Sequence, residues 1–356
     1  MKSTVKRPSN SNGFQTKFLE DLKIQENEKI MYLKRLSDMD NIKKQNNHTL
    51  PKISPFGTKY LNQNWIKQLC IGQDKRRCST KFLNLEAILR AAPKYKTLSC
   101  LIQKNMSTIL EAIMCFLFDE KKFREAKRVL ARENRDIRLV FDRLEDRRFC
   151  PYKNKFSSMM AAQRSLNLSD DETNNWIYLA IVRDPIDRFL SGYVDKCIRK
   201  PYKVGYCNGC DGNMTCFILT EYERLMNSSY GKWVTRTFED RHFFPQTWRC
   251  NFKTALSRYK LIHYSSQIQH RSEFLGELLT ALESHHVPKD SLKFIKEQLQ
   301  EGQTIHTTIT SEARIFYENI LRSSPFLMEH VIRMFYWDYK LLGFDLPKID
   351  SFGIFL

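Results

Sequence analysis

Residues 176–193 read WIYLAIVRDPIDRFLSGY, and this stretch decides the fold class. The run from Trp176 to Val182 is apolar on both faces, as expected of a central strand covered by helices on both sides. Pro185, which follows Arg183 and Asp184, is typical of the first position of a helix. The stretch therefore predicts a buried strand, a polar turn and a helix, which is the repeating unit of a mainly parallel sheet.

Other parts of the chain have the same pattern. Thr97–Gln103 is a short apolar run that leads through a polar turn into a segment with helical periodicity. Tyr259–His263 precedes the amphipathic segment Phe274–Leu282. Near the C-terminus, Ser324 and Pro325 are an N-cap and a first helical residue. We therefore predict an α/β fold, a single domain with a mainly parallel central sheet flanked by helices.

The composition changes along the chain. Residues 1–82 are polar and predict a stalk or linker, and residues 83–350 predict the folded domain. The N-terminus lacks the apolar stretch of a signal peptide, and nowhere are there the roughly 18 consecutive apolar residues that a membrane span needs. We therefore expect no membrane span in this sequence.

The chain is strongly basic, with 58 Lys and Arg against 40 Asp and Glu, a net charge of +18. An excess of this size indicates an anionic partner but does not name one. The densely charged stretch 121–148 predicts a helix, which is either simply solvated or a track for a polyanionic glycan. Its cationic face would be formed by Lys121, Lys122, Arg124, Lys127, Arg128, Arg132, Arg135 and Arg138.

The first strand–helix turn has the features of a phosphate cradle. A loop at the end of a strand, followed by a helix, presents free backbone N–H groups and the positive end of the helix dipole. Lys104 adds a charge, and Ser107 and Thr108 add hydroxyl groups. The glycines and the Lys-Ser/Thr pair of the Walker pattern are absent. A polar helix start without a ligand is the alternative interpretation of this segment.

The second strand–helix turn adds an arginine at the end of a strand. The planar guanidinium of Arg183 could bind a phosphate with two hydrogen bonds, and Ser191 follows about two helical turns later. The alternative is that Arg183 and Asp184 form a local ion pair and that Asp184 and Pro185 only start the helix.

Together these two segments resemble the sulfotransferases that use 3′-phosphoadenosine 5′-phosphosulfate (PAPS). The 3′-phosphate motif of that family, Arg-Asp-Pro-x-x-Arg-x-x-Ser-x-Tyr, is complete between Arg183 and Tyr193. The segment DRHFFPQTWRC, 240–250, is similar to a His-x-x-Pro-Gln and Cys signature of Golgi carbohydrate sulfotransferases acting on chondroitin, dermatan and related chains. The C-terminal segment Tyr317–Pro347 is similar to the ending of that family, and the nematode branch is the most similar. The resemblance covers about Leu83 to Pro347.

The resemblance implies a P-loop-like strand-loop-helix that binds the 5′-phosphosulfate of PAPS as co-substrate, with no metal. The 5′-phosphosulfate would be bound by Lys104, Asn105, Ser107 and Thr108, and the 3′-phosphate by Arg183 and Ser191. The family's turn glycine is replaced by Met106, which lacks glycine's easy access to positive φ.

The resemblance also implies the reaction and its place in the cell. A hydroxyl of a glycosaminoglycan acceptor, of chondroitin type, would attack the sulfur of PAPS in line, while Lys104 neutralises charge at the bridging oxygen. His242 is the first candidate for the general base and Glu111 the second, and a hydrogen-bonded structural histidine is the alternative for His242. Family members are type II membrane proteins of the Golgi lumen.

Four of the ten cysteines lie within twenty residues, in the pattern C-x₉-C-x₂-C-x₅-C. They could ligate zinc or form two disulfides, and a lumenal compartment favours disulfides. The four are Cys197, Cys207, Cys210 and Cys216.

Two other classes of function compete with the sulfotransferase hypothesis. One is a non-catalytic protein that keeps the fold and binds a polyanion such as heparin or nucleic acid. The other is a P-loop kinase or NTPase, which the sequence supports less because it lacks a Walker lysine-serine pair. The leading hypothesis involves no nucleic acid partner.

Overall fold

The computed structural model describes residues 63–85, 87–130, 154–199, 206–232, 234–301, 311–349 and 355. The strands are β1 (Leu89–Ala92), β2 (Thr97–Cys100), β3 (Lys155–Phe156), β4 (Ile177–Arg183) and β5 (Tyr259–Tyr264). The α-helices are α1 (Gln63–Gln68), α2 (Ser107–Phe118), α3 (Glu120–Glu125), α4 (Met159–Ser165), α5 (Asp170–Asn174), α6 (Pro185–Tyr193), α7 (Met214–Ser229), α8 (Phe238–Phe243), α9 (Phe252–Ala255), α10 (Arg271–Glu283), α11 (Lys289–Glu301), α12 (Glu312–Arg322) and α13 (Pro325–Leu342). A π-helix, Val194–Ile198, continues directly from α6.

Within the described residues the strands form one mixed sheet in the order β3-β1-β2-β4-β5. The pairs β2·β4 and β4·β5 are parallel, whereas β1 pairs antiparallel with both β2 and β3. The reversal at β1 is local: the short turn Pro93–Tyr95 returns the chain beside itself, which only antiparallel strands allow. The predicted α/β class is confirmed, and its parallel part consists of the three predicted strands.

Both faces of the sheet are covered, as the apolar run of β4 predicts. Leu179 and Ile181 belong to the core cluster under α2 and α10, whereas Tyr178, Ala180 and Val182 belong to the cluster on the opposite face. Successive side chains of a strand point to opposite sides, so a strand apolar at every position needs two covering layers. Because β2, β4 and β5 are parallel, the turns after them meet at one edge of the sheet.

Residues 63–82, which the sequence assigns to the predicted stalk, are folded in the structure. Ile66 of helix α1 and Leu69, directly after it, are fully buried in a core cluster formed largely by helices. The disulfide between Cys70 and Cys78 closes the loop that follows. Residues 63–82 are therefore part of the folded unit, and the rest of the predicted stalk lies outside the described residues.

The predicted basic helix is also shorter. Helix α3 ends at Glu125, and Lys127 adopts a left-handed conformation with φ 52°. A single helix therefore does not continue through Arg128, and residues 131–153 lie outside the described residues. At the other end of the chain, the predicted start of α13 is confirmed, since the Ser324 hydroxyl accepts a hydrogen bond from the Leu327 N–H. None of the helices in the described ranges is long and apolar enough to cross a membrane.

Candidate functional site

The turn between β2 and α2 has an unusual backbone. Lys104 has φ 68° and Met106 has φ 53°, both in the left-handed region. The family-like glycine position therefore has the conformation for which glycine is suited, although a methionine occupies it. Met106 therefore adopts positive φ, and what distinguishes it from glycine is the higher free energy of that conformation.

Helix α2 begins at Ser107 without a side-chain cap. The Leu110 N–H donates to the carbonyl of Met106, so this is the first N–H of the helix with an acceptor in the preceding turn. The N–H groups of Ser107, Thr108 and Ile109 precede it and are the donors that a helix start leaves open to an anion. Ser107 and Thr108 thus lie in the first turn of α2, as the sequence predicts.

The Lys104 side chain turns into the protein rather than into solvent. Its Nζ lies 2.9 Å from Oδ2 of Asp195, and Nζ of Lys196 lies 2.9 Å from the same oxygen. Burial lowers the pKa of Lys104 from 10.5 to about 8, and the Asp195 carboxylate opposes this shift. Asp195 could not be recognised from the sequence, because a charged residue just after the motif is usually solvated.

Arg183 joins the two strand–helix turns. Its Nε donates to Oδ2 of Asp187 at 2.7 Å, and its Nη1 donates to the backbone carbonyl of Lys104 at 2.9 Å. The guanidinium also lies 5.1 Å from the ring centre of Tyr264, at the end of β5. The alternative of a local ion pair with Asp184 is wrong in its partner, since Arg183 pairs with Asp187.

A second arginine of the motif binds the same turn. Nε of Arg188 donates to the carbonyl of Gln103 at 3.1 Å. Arg188 is almost completely buried, and this burial lowers its pKa to about 10. Its Nη2 and the side-chain oxygen of Gln103 lack hydrogen-bond partners among the described residues. The two arginines together therefore fix the carbonyls of consecutive residues, 103 and 104.

Gln246, from the segment 240–250, connects the two strand–helix turns at this edge, although its position in the sequence predicts no role for it. Its Oε1 accepts from Nδ2 of Asn105 at 2.5 Å and from the Arg183 N–H at 3.1 Å. Its Nε2 donates to the Arg183 carbonyl at 2.8 Å. The side chain thus continues the hydrogen-bonding of the sheet at the end of β4.

The Asn105 side chain bonds to two neighbouring segments of the sheet edge. It is 1% exposed, and its Nδ2 also donates to the Ile181 carbonyl at 2.9 Å. Its side chain therefore links the turn between β2 and α2 to β4. Its Oδ1 lacks a hydrogen-bond partner in the described part of the chain. Ser191 lies buried in the last turn of α6, two turns beyond Arg183.

His242 lies in the last turn of α8, where its Nδ1 is 2.8 Å from the carbonyl of Phe238. A carbonyl can only accept, so Nδ1 carries the proton and Nε2 keeps the lone pair of the neutral ring. The pKa of His242 is lowered to about 3, mainly by burial and to a smaller extent by the charges of Lys196 and Lys104. The ring is therefore close enough to the lysine pair to be influenced by it.

Glu111, the second candidate for the general base, pairs with Arg90. Oε1 of Glu111 accepts from Nε and Nη2 of Arg90 at 3.0 and 2.6 Å. Both N–H groups donate to the same oxygen, so the Glu111 carboxylate is paired with the Arg90 guanidinium.

Disulfides hold the segments of this edge together. Cys100, the last residue of β2, is bonded to Cys250, four residues beyond Gln246. The predicted four-cysteine cluster forms the pairs Cys197–Cys207 and Cys210–Cys216. The disulfide interpretation is confirmed, because these sulfur atoms are bonded to one another and are not thiolates available to zinc.

Most of the chain is similar to known proteins. The model of the family described as "Sulfotransferase family" matches residues 89–345. The Caenorhabditis elegans protein named putative sulfotransferase vep-2 is 39% identical over 287 residues, which are 80% of this chain and 82% of that protein. The carbohydrate sulfotransferase chst-1 of the same organism is 31% identical over 301 residues, 82% of this chain and 87% of that protein. No solved structure matches the chain.

The matched span runs from β1 to the end of the C-terminal helix and includes both strand–helix turns and the sheet that carries them. Enzymes of this kind transfer a sulfuryl group from a donor, and the donor's anionic groups are what an edge with open N–H groups and buried cations can bind. The chain therefore belongs to the sulfotransferase family and is a sulfotransferase.

Proposed function

We propose that this protein is a PAPS-dependent carbohydrate sulfotransferase that sulfates a hydroxyl of a glycosaminoglycan, of chondroitin type. The observation that carries the proposal is the edge at which Lys104, the open start of α2 and the Arg183 turn come together. Sulfuryl transfer there is an in-line attack of the acceptor oxygen on the sulfur of PAPS, with adenosine 3′,5′-bisphosphate leaving.

Groups of the two strand–helix turns suit a donor that carries a 5′-phosphosulfate and a 3′-phosphate. The open N–H groups at Ser107 and Thr108 would bind the 5′-phosphosulfate, supported by the dipole of α2. Arg183 and Ser191 would bind the 3′-phosphate, as their motif indicates. Arg183 is held by Asp187 and by the Lys104 carbonyl, so this guanidinium would act from a fixed position.

Lys104 would stabilise the charge that develops as the bond to sulfur breaks. Electrostatic stabilisation of a developing charge is usually the largest single contribution to catalysis, and it is strongest in a buried, water-poor site. Lys104 is buried, and with Lys196 it gives the site two ammonium groups for one carboxylate. An excess positive charge in the free enzyme matches a multiply charged anionic donor.

His242 would remove the proton from the acceptor hydroxyl. Its Nδ1 proton is fixed on the Phe238 carbonyl, so Nε2 is available as the base. In the free enzyme the buried ring is a weak base, since its pKa is lowered to about 3. Binding of an anionic donor would offset the charges of Lys196 and Lys104, which are the smaller causes of the lowered pKa of His242, and so raise that pKa.

The net charge supports an acidic acceptor, and the disulfide-bonded cysteines support a lumenal compartment. A net charge of +18 suits an acidic polysaccharide, and the relative chst-1 is named a carbohydrate sulfotransferase. None of the described cysteines is free, as expected of a protein of the secretory pathway. We therefore propose action in the Golgi lumen.

The test is sulfate transfer from labelled PAPS to unsulfated chondroitin, with desulfated heparan and no acceptor as controls. The full chain would be produced through a secretory pathway so that its disulfides form. Lys104→Ala should reduce transfer by about 10²- to 10³-fold. Lys94→Ala is the matched control, because Lys94 is exposed and pairs with Glu120 at the surface, and it should leave transfer unchanged.

The outcomes separate the hypotheses. Bisphosphate binding with transfer only to heparan would correct the acceptor class and keep the enzyme. A protein that neither transfers sulfate nor binds adenosine 3′,5′-bisphosphate, but binds heparin with steep salt dependence, would instead be the non-catalytic polyanion-binding protein.

A further inference from the structure

Asp195 is the shared counterion of two lysines at the candidate site. Its Oδ2 lies 2.9 Å from Nζ of Lys104 and 2.9 Å from Nζ of Lys196. The three side chains are only 4%, 9% and 14% exposed, in the order Asp195, Lys104, Lys196. One buried carboxylate thus serves two ammonium groups, so it can release one of them and still be paired.

The backbone of Lys104 is fixed independently of its side chain. Arg183 donates to the Lys104 carbonyl, and the residue lies in a left-handed turn that Asn105 ties to β4. The side chain beyond this fixed backbone is a flexible four-carbon stem. The ammonium group can therefore leave Asp195 by side-chain rotation while the turn keeps its shape.

We propose that Asp195 is a positioning residue that holds Lys104 in the free enzyme and passes it to the 5′-phosphate group of the donor, while Lys196 stays with Asp195. The proposal rests on the proposed function. The exchange leaves no buried charge without a partner in either state, since the carboxylate keeps Lys196 and Lys104 gains the phosphate. An unpaired buried carboxylate would be strongly unfavourable, and Lys196 removes that obstacle.

The charged groups around Lys104 determine how the exchange depends on pH. Asp195 and Lys196 face it from the π-helix and Arg183 from β4, and His242 of α8 is within range. His242 stays neutral above pH 5, because its pKa is lowered to about 3. Lys104, with a pKa lowered to about 8, therefore titrates above neutrality, whereas Asp184, next to Arg183, has a pKa raised by burial to about 6 and titrates below it.

The direction in which affinity changes with pH follows from the charge of Lys104 in the bound state. A phosphate group favours the charged form of Lys104, so affinity for the bisphosphate is full below the free-enzyme pKa and falls as pH rises through it. Asp195→Asn removes the carboxylate that keeps Lys104 charged, so the fall should move to lower pH by about 1 unit or more. Lys196→Met removes a repelling cation, so the fall should move to higher pH.

The experiment measures the dissociation constant of adenosine 3′,5′-bisphosphate by calorimetry from about pH 6.5 to about pH 10. In this ligand the oxygen that bridges to sulfur in PAPS is a terminal oxygen of the 5′-phosphate. Lys104→Arg is the control, since a guanidinium stays charged and its profile shows only the phosphate's own ionisation near pH 6. Thermal unfolding of each variant checks that it folds.

Opposite shifts in Asp195→Asn and Lys196→Met, with no fall in Lys104→Arg, would establish the exchange. At the acid end, Asp195→Asn should also bind more tightly than the wild type, because the competing anion is gone. A uniform loss of affinity in Asp195→Asn at every pH, or a Lys196→Met profile equal to that of the wild type, would overturn the inference and leave the proposed function intact. Failure of the wild type to bind the bisphosphate would overturn both.

Discussion

Arg183 donates a 2.9 Å hydrogen bond to the backbone carbonyl of Lys104, although the two residues are 79 positions apart. The arginine of one strand–helix turn thereby sets the backbone of the other. Two motifs that the sequence presents as separate phosphate sites are parts of one hydrogen-bonded unit. A substitution in the second motif should therefore impair the first.

This relationship makes the Arg183→Lys variant informative. A lysine keeps the charge but cannot bond Asp187 and the Lys104 carbonyl with one planar fork. We expect bisphosphate affinity to fall by roughly 10-fold or more and the free energy of unfolding to fall by about 1–3 kcal/mol. Calorimetry and chemical denaturation measure the two effects. Unchanged affinity would mean that the guanidinium contributes only charge.

Much of the fold could be predicted because its signals are local. The apolar run of β4, the proline at the start of α6 and the Ser324 cap each act within a few residues of themselves. Strands β1 and β3 carry no such signal, since Leu89–Ala92 and Lys155–Phe156 are too short to show a period. The antiparallel part of the sheet was accordingly not predicted.

The candidate site could be predicted only in part, because its polar contacts join distant segments. Lys104 and Arg183 were found through the strand-turn-helix pattern and the family resemblance. Gln246 bonds to Asn105 across 141 positions, and no spacing in the sequence encodes that contact. Asp195 was missed for a different reason: its burial beside Lys104 depends on the π-helix that follows α6.

The state of His242 predicts the acid side of the pH–rate profile. Its pKa is lowered to about 3 in the free enzyme by burial, below the ordinary value of 6.5. Because kcat/KM for PAPS reports ionisations of the free enzyme and of free PAPS, His242 should add no acid limb near pH 6.5 to the one that the 3′-phosphate of PAPS gives near pH 6. Initial rates at low PAPS, measured from about pH 5 to about pH 8, test this.

Two substitutions at the same position give the matched comparison for the base. His242→Ala should lower kcat by about 10²- to 10⁴-fold while bisphosphate affinity changes little. His242→Asn can still donate to the Phe238 carbonyl but has no basic nitrogen, so it should be equally inactive. An active Asn variant would show that His242 is a structural histidine.

The Cys100–Cys250 disulfide should contribute more to stability than the short disulfides. It joins positions 150 apart, whereas Cys210 and Cys216 are 6 apart, and a longer closed loop restricts the unfolded chain more. Replacing both cysteines by alanine should lower the free energy of unfolding by roughly 4–5 kcal/mol for the first pair and about 2 kcal/mol for the second. Non-reducing denaturation curves measure both.

The first pair should also affect the site. Cys250 follows the segment that carries Gln246, whose amide bonds the backbone of Arg183 on both sides. Bisphosphate affinity should therefore fall in Cys100→Ala/Cys250→Ala and stay unchanged in Cys210→Ala/Cys216→Ala. Equal affinities in the two double variants would contradict a role for this disulfide in positioning the site.

Met106 tests whether the turn is strained. At φ 53° a residue with a Cβ atom is disfavoured by about 1–2 kcal/mol, whereas glycine is not. Because the methionine also packs partly against the core, the informative pair is Met106→Gly against Met106→Ala, which both lack that contact. We expect the glycine variant to be the more stable by about 1 kcal/mol, the reverse of the order in a regular helix. If alanine were the more stable in denaturation experiments, the left-handed turn would not be the conformation in solution, and the open N–H groups at the start of α2 would lose their structural basis.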